Sequence, residues 1–245
     1  MRSFIFAVIS GLQLVSAQAG RSSIPVGVAI RSCTQPDTIA LTFDDGPFAY
    51  TEPLLDQLVA AGIKATFFVN GNNWANINDY SSTVVRMIEE GHQVGSHTYS
   101  HPDMATIDEA TIKTEMIKLE DDLINIIGKY PTYMRPPYFS YNNSTLRVLG
   151  QLGYHVIDAD IDTFDWQHNT PETVDNALTL FKQGLANGGS ITLMHDVHQN
   201  TVEKLVPSVI DAVLESGKRA VTVGECLGDP EANWYQLSRS TASKV

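Results

Sequence analysis

Short runs of β-branched and aromatic residues alternate along this chain with longer amphipathic stretches, and that alternation constrains the fold more than any other feature. The apolar runs cover 39–43, 65–70, 93–96, 133–135, 155–160, 190–194 and 220–223. Most are too apolar to leave one face in water, which predicts buried parallel strands. Helical spacing covers 51–61, 82–90, 107–127, 143–152, 171–186 and 202–215. Several of these stretches end at Gly62, Gly91, Gly128, Gly153 or Gly217, because glycine tolerates the left-handed turn that closes a helix. About seven βα units predict an α/β fold, a distorted or incomplete (β/α) barrel of about seven parallel strands, since eight would close it regularly. An open doubly wound sheet satisfies the same pattern.

Met1-Arg2, the apolar run from Phe4 to Leu14 and the small residues up to Ala19 read as a signal peptide over 1–19, cleaved after Ala17 or Ala19. A membrane anchor needs roughly 20 uninterrupted apolar residues, and Gly11 and Gln13 interrupt this one. Residues 20–230 are expected to form one catalytic domain, followed by a polar C-terminal tail over 231–245. A secreted monomer, extracellular or in the cell wall, is expected. The net charge of −12 speaks against nucleic acid and anionic membrane surfaces as partners, and favours a neutral or basic substrate. Cys33 and Cys226, the two cysteines, lie near the two ends of the globular part, and an oxidising compartment would join them as a disulfide.

In a parallel barrel the chemistry sits at the carboxyl ends of the strands. Asp44-Asp45, His97 and His101, Arg135, Asp162 and Asp165, and His195 all follow predicted strands, so five strand ends should converge on one rim. His97 and His101 are four residues apart, and one helical turn would aim both at one point. With one carboxylate they make three ligands and leave a position open, the arrangement of a catalytic metal. No cysteine is free to join them, which favours Zn²⁺ and leaves Co²⁺ or Mn²⁺ compatible. Asp44 and Asp45 would face opposite ways in a strand, but Gly46-Pro47 ends it and lets both turn inward. One can bind metal while the other takes a proton from water.

Five segments in order, Thr42-Phe43-Asp44-Asp45, His97-Thr98-Tyr99-Ser100-His101, Arg135-Pro136-Pro137-Tyr138, Asp162-Thr163-Phe164-Asp165-Trp166 and Leu193-Met194-His195, resemble the motifs of the carbohydrate esterase family 4 polysaccharide deacetylases, with the NodB homology domain. The resemblance runs from Asp37 to Cys226 and implies a NodB-type barrel and metal-dependent hydrolysis of acetyl groups. It implies Asp44 as base, Asp45, His97 and His101 as metal ligands, and Arg135 as the group orienting the base. It further implies that the Tyr138 backbone N–H stabilises the oxyanion, that His195 is the acid tuned by Asp165, and that Trp166, Tyr138 and Leu193 contact the substrate. Phe139 departs from the pattern, standing where many members have glycine.

The stretches from Phe67 to Trp74 and from Gly224 to Asp229 resemble fungal chitin deacetylases, which implies chitin or chitooligosaccharides as substrate. Acetylxylan, peptidoglycan or a non-catalytic carbohydrate-binding role are the alternatives. His92, His155, His168 and His198 match no motif and read as structural or surface residues. Trp74, Phe139 and Tyr141 are candidates to stack on sugar rings. Asn142 and Asn143 each begin a glycosylation sequon, whose closeness to Tyr138 argues against occupancy.

Overall fold

The computed structural model describes residues 22–239, so the expected leader, its cleavage sites and the end of the expected tail lie outside the described residues. In chain order the elements are β1 (Ala29–Ile30), β2 (Thr38–Ile39), β3 (Thr42–Asp44), α1 (Thr51–Ala61), β4 (Thr66–Val69), α2 (Ser81–Glu89), β5 (Gln93–Ser96), α3 (Glu109–Ile127), β6 (Tyr130–Pro131) and β7 (Tyr133–Met134). They continue with α4 (Asn143–Leu152), β8 (His155–Ile157), β9 (Ile161–Asp162), α5 (Val174–Ala186), β10 (Thr192–His195), α6 (Val206–Ser216), β11 (Arg219–Ala220), α7 (Val223–Cys226) and β12 (Tyr235–Gln236). Local chemistry sets several boundaries. Asp108 accepts from the Thr111 amide to start α3, and Asn142 accepts from the Ser144 and Thr145 amides to start α4. Gly62, Gly128, Gly153 and Gly217 stop α1, α3, α4 and α6 at left-handed φ between 66 and 85°.

Eight strands form one sheet in the order β1-β8-β7-β5-β4-β3-β10-β9, all paired in parallel. In a flat sheet β8 and β9 would stand about 29 Å apart, six spacings of about 4.8 Å. Only residues 158–160 separate them, and that chain reaches at most about 14 Å. The sheet therefore curls. Asp158 N–H donates to Ile30 O at 2.7 Å on one side of the link, and Asp160 N–H donates to Ile191 O at 3.0 Å on the other. Among the described residues β1 and β9 share no ladder, so the barrel is incomplete, with eight parallel strands rather than seven.

Two differences from the predicted elements have local causes. The run 39–43 divides into β2, which pairs with β11, and β3, which joins the main sheet. The predicted strand 220–223 stops at Ala220. Thr222 Oγ1 accepts from the Glu225 amide while Glu225 accepts from the Thr222 amide, a capping box that turns the chain into α7.

Helix α7 closes the barrel at its amino end, where the amides of Val223 and Gly224 donate to Thr66 Oγ1 and Gln93 Oε1, each at 2.9 Å. A Cys33–Cys226 disulfide pins this floor to the segment after β1. Trp234 packs beneath it with Tyr133, Ile157, Val223 and Cys226. Beyond it, β12 pairs antiparallel with β6, and Arg239 forms an ion pair with buried Glu120. Residues 231–239 therefore pack on the barrel, where composition alone suggested a polar tail. The larger apolar core lies between the sheet and α1, α2, α5 and α6, with Leu54, Leu58, Phe67, Phe181 and Val209 at its centre. Each such side chain is worth about 1.5–3 kcal/mol relative to exposure.

Candidate active site

At the opposite end of the barrel a cavity of about 430 Å³ is lined by Asp44, Asp45, His97, His101, Asp162 and His195, with Pro136, Tyr138, Phe139, Trp166 and Leu193 as its less polar wall. These residues come from the carboxyl ends of β3, β5, β7, β9 and β10 and the loops that follow.

Asp45, His97 and His101 offer ligand atoms that all lie within 4.8 Å of one another. The two histidines do not converge through a helical turn, as their spacing predicted. Residues 97–101 form a loop in which Thr98 and His101 adopt left-handed φ of 68° and 59°. The His101 amide donates to Thr98 Oγ1 at 3.1 Å, and the imidazole rings meet edge on at 4.9 Å. The backbone fold-back does what a helix would have done.

His97 Nδ1 lies 2.7 Å from the Arg135 carbonyl oxygen. A carbonyl only accepts, so Nδ1 carries the hydrogen and the neutral ring keeps a lone pair on Nε2. Nε2 is 3.6 Å from Asp45 Oδ1, which is 3.1 Å from His101 Nε2 and is buried without a hydrogen bond. Burial holds His97 below the ordinary imidazole range. Burial opposes ionisation of Asp45 as well, but His101, His97 and His195 outweigh it and hold the carboxyl below the usual carboxylate range. An ionised carboxylate and a neutral imidazole converging on an unfilled acceptor fit a divalent cation.

Asp44 is oriented differently. Its Oδ1 accepts from Arg135 Nη1 at 2.8 Å, while its Oδ2 lies 3.8 Å from His97 Nε2. Arg135 is fully buried and spans the barrel interior, donating also to Thr42 Oγ1 at 2.6 Å, Ile157 O at 3.3 Å, Asp158 O at 3.1 Å and Thr192 O at 3.3 Å. A buried guanidinium needs such partners to offset lost hydration. The result is one carboxylate oxygen locked and the other left beside the ligand cluster.

Across the cavity, His195 Nδ1 donates to Asp165 Oδ1 at 2.8 Å, and Asp165 Oδ2 accepts from the His195 amide and Thr201 Oγ1, both at 2.8 Å. Burial pulls the His195 pKa down, but the Asp165 charge and hydrogen bond prevail and push it up to about 10. Nδ1–H is committed to Asp165, so Nε2 is the nitrogen that can exchange a proton with a ligand. Tyr138 sits at φ 59°, its ring against His101 and 69% exposed. Its backbone N–H has no backbone acceptor among the described residues.

Phe139 lines the cavity and packs 5.6 Å from the Arg135 guanidinium, whereas Tyr141 donates to Asp158 at 2.9 Å and lies off the cavity. His92 and His155 are buried in the fold. His198, set aside by the motif comparison, stands at the rim with its ring 5.7 Å from His195 and 5.6 Å from half-exposed Trp74, which packs on Phe48. Asp196 was also missed. It is fully buried, burial raises its pKa to about 7, and its Oδ2 accepts from Thr51 Oγ1 at 2.5 Å. A Cβ on Gly46 would lie 2.2 Å from that oxygen, so Asp196 ties the end of β10 to the turn carrying Asp44 and Asp45. Its place directly after His195 was the signal available in sequence.

Comparisons with known proteins extend this geometry. A family model described as polysaccharide deacetylase matches residues 31–157. A chitin deacetylase from Pestalotiopsis sp is 56% identical over 94% of this chain and 77% of its own length. A protein named probable peptidoglycan-N-acetylglucosamine deacetylase from Arthroderma benhamiae is 53% identical over 88% of this chain, which spans 49% of that protein. The solved chitin deacetylase from the fungal pathogen Colletotrichum lindemuthianum superposes with a TM-score of 0.86 at 47% identity, covering 89% of this chain and 99% of that one.

Proposed function

The chain belongs to the polysaccharide deacetylase family, and from that premise we propose that it hydrolyses the N-acetyl groups of N-acetylglucosamine residues in chitin and chitooligosaccharides, releasing acetate and leaving chitosan. One observation carries this reading: a carboxylate pinned by a buried arginine and an imidazole raised by a buried carboxylate face one cavity beside three convergent ligand groups.

Asp45, His97 and His101 would hold one divalent cation, with Zn²⁺ preferred for an N,N,O donor set and Co²⁺ or Mn²⁺ compatible. Such an ion supplies Lewis acidity, polarising the acetamide carbonyl and making water more acidic. Asp44 accepts the proton of the attacking water through Oδ2, because Arg135 occupies Oδ1 and fixes the carboxylate plane. The Tyr138 N–H donates to the oxyanion of the tetrahedral intermediate. His195 delivers its Nε2 proton to the nitrogen as the C–N bond breaks, and Asp165 stabilises the imidazolium beforehand. Trp166 and Leu193 offer an apolar wall for the acetyl methyl.

The disulfide and the net charge of −12 support a secreted protein with neither nucleic acid nor membrane as partner. No helix among the described residues is long and apolar enough to cross a membrane. The Arthroderma benhamiae relative makes peptidoglycan the second substrate to consider. Acetate release from chitooligosaccharides, peptidoglycan and acetylated xylan at equal acetyl concentration decides the matter. The chitin reading requires the highest kcat/KM on chitooligosaccharides and fails if either of the others is preferred, while a metal-loaded protein inactive on all three would be a binding protein.

A further inference from the structure

Asp162 lines the cavity without a place in the machinery described above. It ends β9, where its Cα pairs in register with Leu193, two residues before His195. Its Oδ1 accepts from the Phe164 amide at 2.8 Å, its one hydrogen bond among the described residues, and Phe164 holds a left-handed φ of 50°. That short turn orients the carboxylate and leaves the second oxygen with no protein donor among the described residues.

The nearby cationic groups are already matched, Arg135 with Asp44 and His195 with Asp165. Asp162 sits partly withdrawn from water, and burial raises its pKa. The second oxygen is open to water, and a ligand that displaces that water must replace its hydrogen bond. With Trp166 and Leu193 making this side of the cavity apolar, a hydroxyl of the sugar ring is the replacement donor that a substrate brings.

We propose that Asp162 is a specificity-determining residue whose free carboxylate oxygen accepts a hydrogen bond from a hydroxyl of the sugar unit that loses its acetyl group. This rests on the deacetylase reading. Ring recognition of this kind separates sugars that present the same acetyl group on different scaffolds.

The test measures kcat/KM for wild type, Asp162→Ala and Asp162→Asn on chitooligosaccharides whose reacting unit is unmodified, 3-deoxy or 6-deoxy. A hydrogen bond to a charged acceptor is worth about 1.5–3 kcal/mol, so wild type should lose about 10- to 150-fold on one of the deoxy substrates. In Asp162→Ala all three substrates should react alike. Asp162→Asn keeps an acceptor for the Phe164 amide, and so preserves the turn while shrinking the penalty. An active wild type showing no deoxy penalty, or the same penalty in both variants, overturns this inference alone. A folded, metal-loaded wild type inactive on the unmodified oligomer fails the deacetylase reading, and this inference falls with it.

Discussion

The two ends of the barrel are built on opposite terms. At the floor, α7 satisfies its first amides on Thr66 and Gln93, Trp234 donates to Asp229 O at 2.9 Å, Tyr133 donates to Asp229 Oδ2 at 2.8 Å, and a disulfide joins the ends of the domain. At the rim, Asp45, Thr98, His101, Tyr138, Phe139 and Phe164 all hold left-handed φ between 50 and 77° without being glycine, and Oδ1 of Asp45 has no hydrogen bond among the described residues. Such conformations cost of order 1–3 kcal/mol each and persist only where the surroundings impose them. The comparison teaches that the floor stabilises and the rim spends part of that stability on aiming side chains.

Changes at the rim should then alter chemistry more than stability, and changes at the floor the reverse. Asp44→Asn removes the proposed proton acceptor at nearly constant volume, so kcat should fall by about 10²–10⁴-fold while bound metal, measured by elemental analysis, stays stoichiometric. A kcat near wild type would place the base elsewhere. At the floor, replacing Cys33 and Cys226 together by serine should lower unfolding free energy by about 2–5 kcal/mol in denaturant titrations, with kcat at low temperature retained. Loss of kcat in a still folded variant would erase the distinction between the two ends.

Asp165→Asn probes the rim through pH. Asp165 raises the His195 pKa, so the protonated form persists to higher pH than in a free imidazole and is lost as pH rises through the raised value. Without the Asp165 charge the imidazole moves toward its ordinary value of about 6.5, and the basic limb of kcat/KM should move to lower pH. A limb that stays in place means another group sets it. The smallest effect is expected for Trp234→Phe, which deletes the donor to Asp229 O. A loss of about 1 kcal/mol in stability with unchanged kcat is expected, read by the same titration.

Much of this was legible in the linear chain because it is local. Helices α1 and α4 fall where their spacing placed them, with Gly62 and Gly153 as left-handed stops. Of the residues singled out at strand ends, Asp44, Asp45, His97, His101, Asp162 and His195 line one cavity, while Arg135 and Asp165 lie buried behind it, bonded to Asp44 and His195. What escaped was non-local. β1 and β9 have two residues each, too few for any periodicity, and exist as strands only because β8 and β10 lie beside them. Asp196 and His198 gain their surroundings from Thr51, Gly46 and Trp74, more than a hundred residues away in sequence.

The sequence by itself determined residue type and local period: most of the buried strands, the glycine stops of α1, α3, α4 and α6, and which side chains can ligate a cation or carry a proton. Only the tertiary structure decided that the link 158–160 curls the sheet, and that Arg135 crosses its interior to hold one oxygen of Asp44 while Asp45 turns to the histidines. The physical reason is that orientation at such a site is imposed by partners brought together through chain closure, and the hydrogen bonds that select one carboxylate over its neighbour exist only after the barrel has formed.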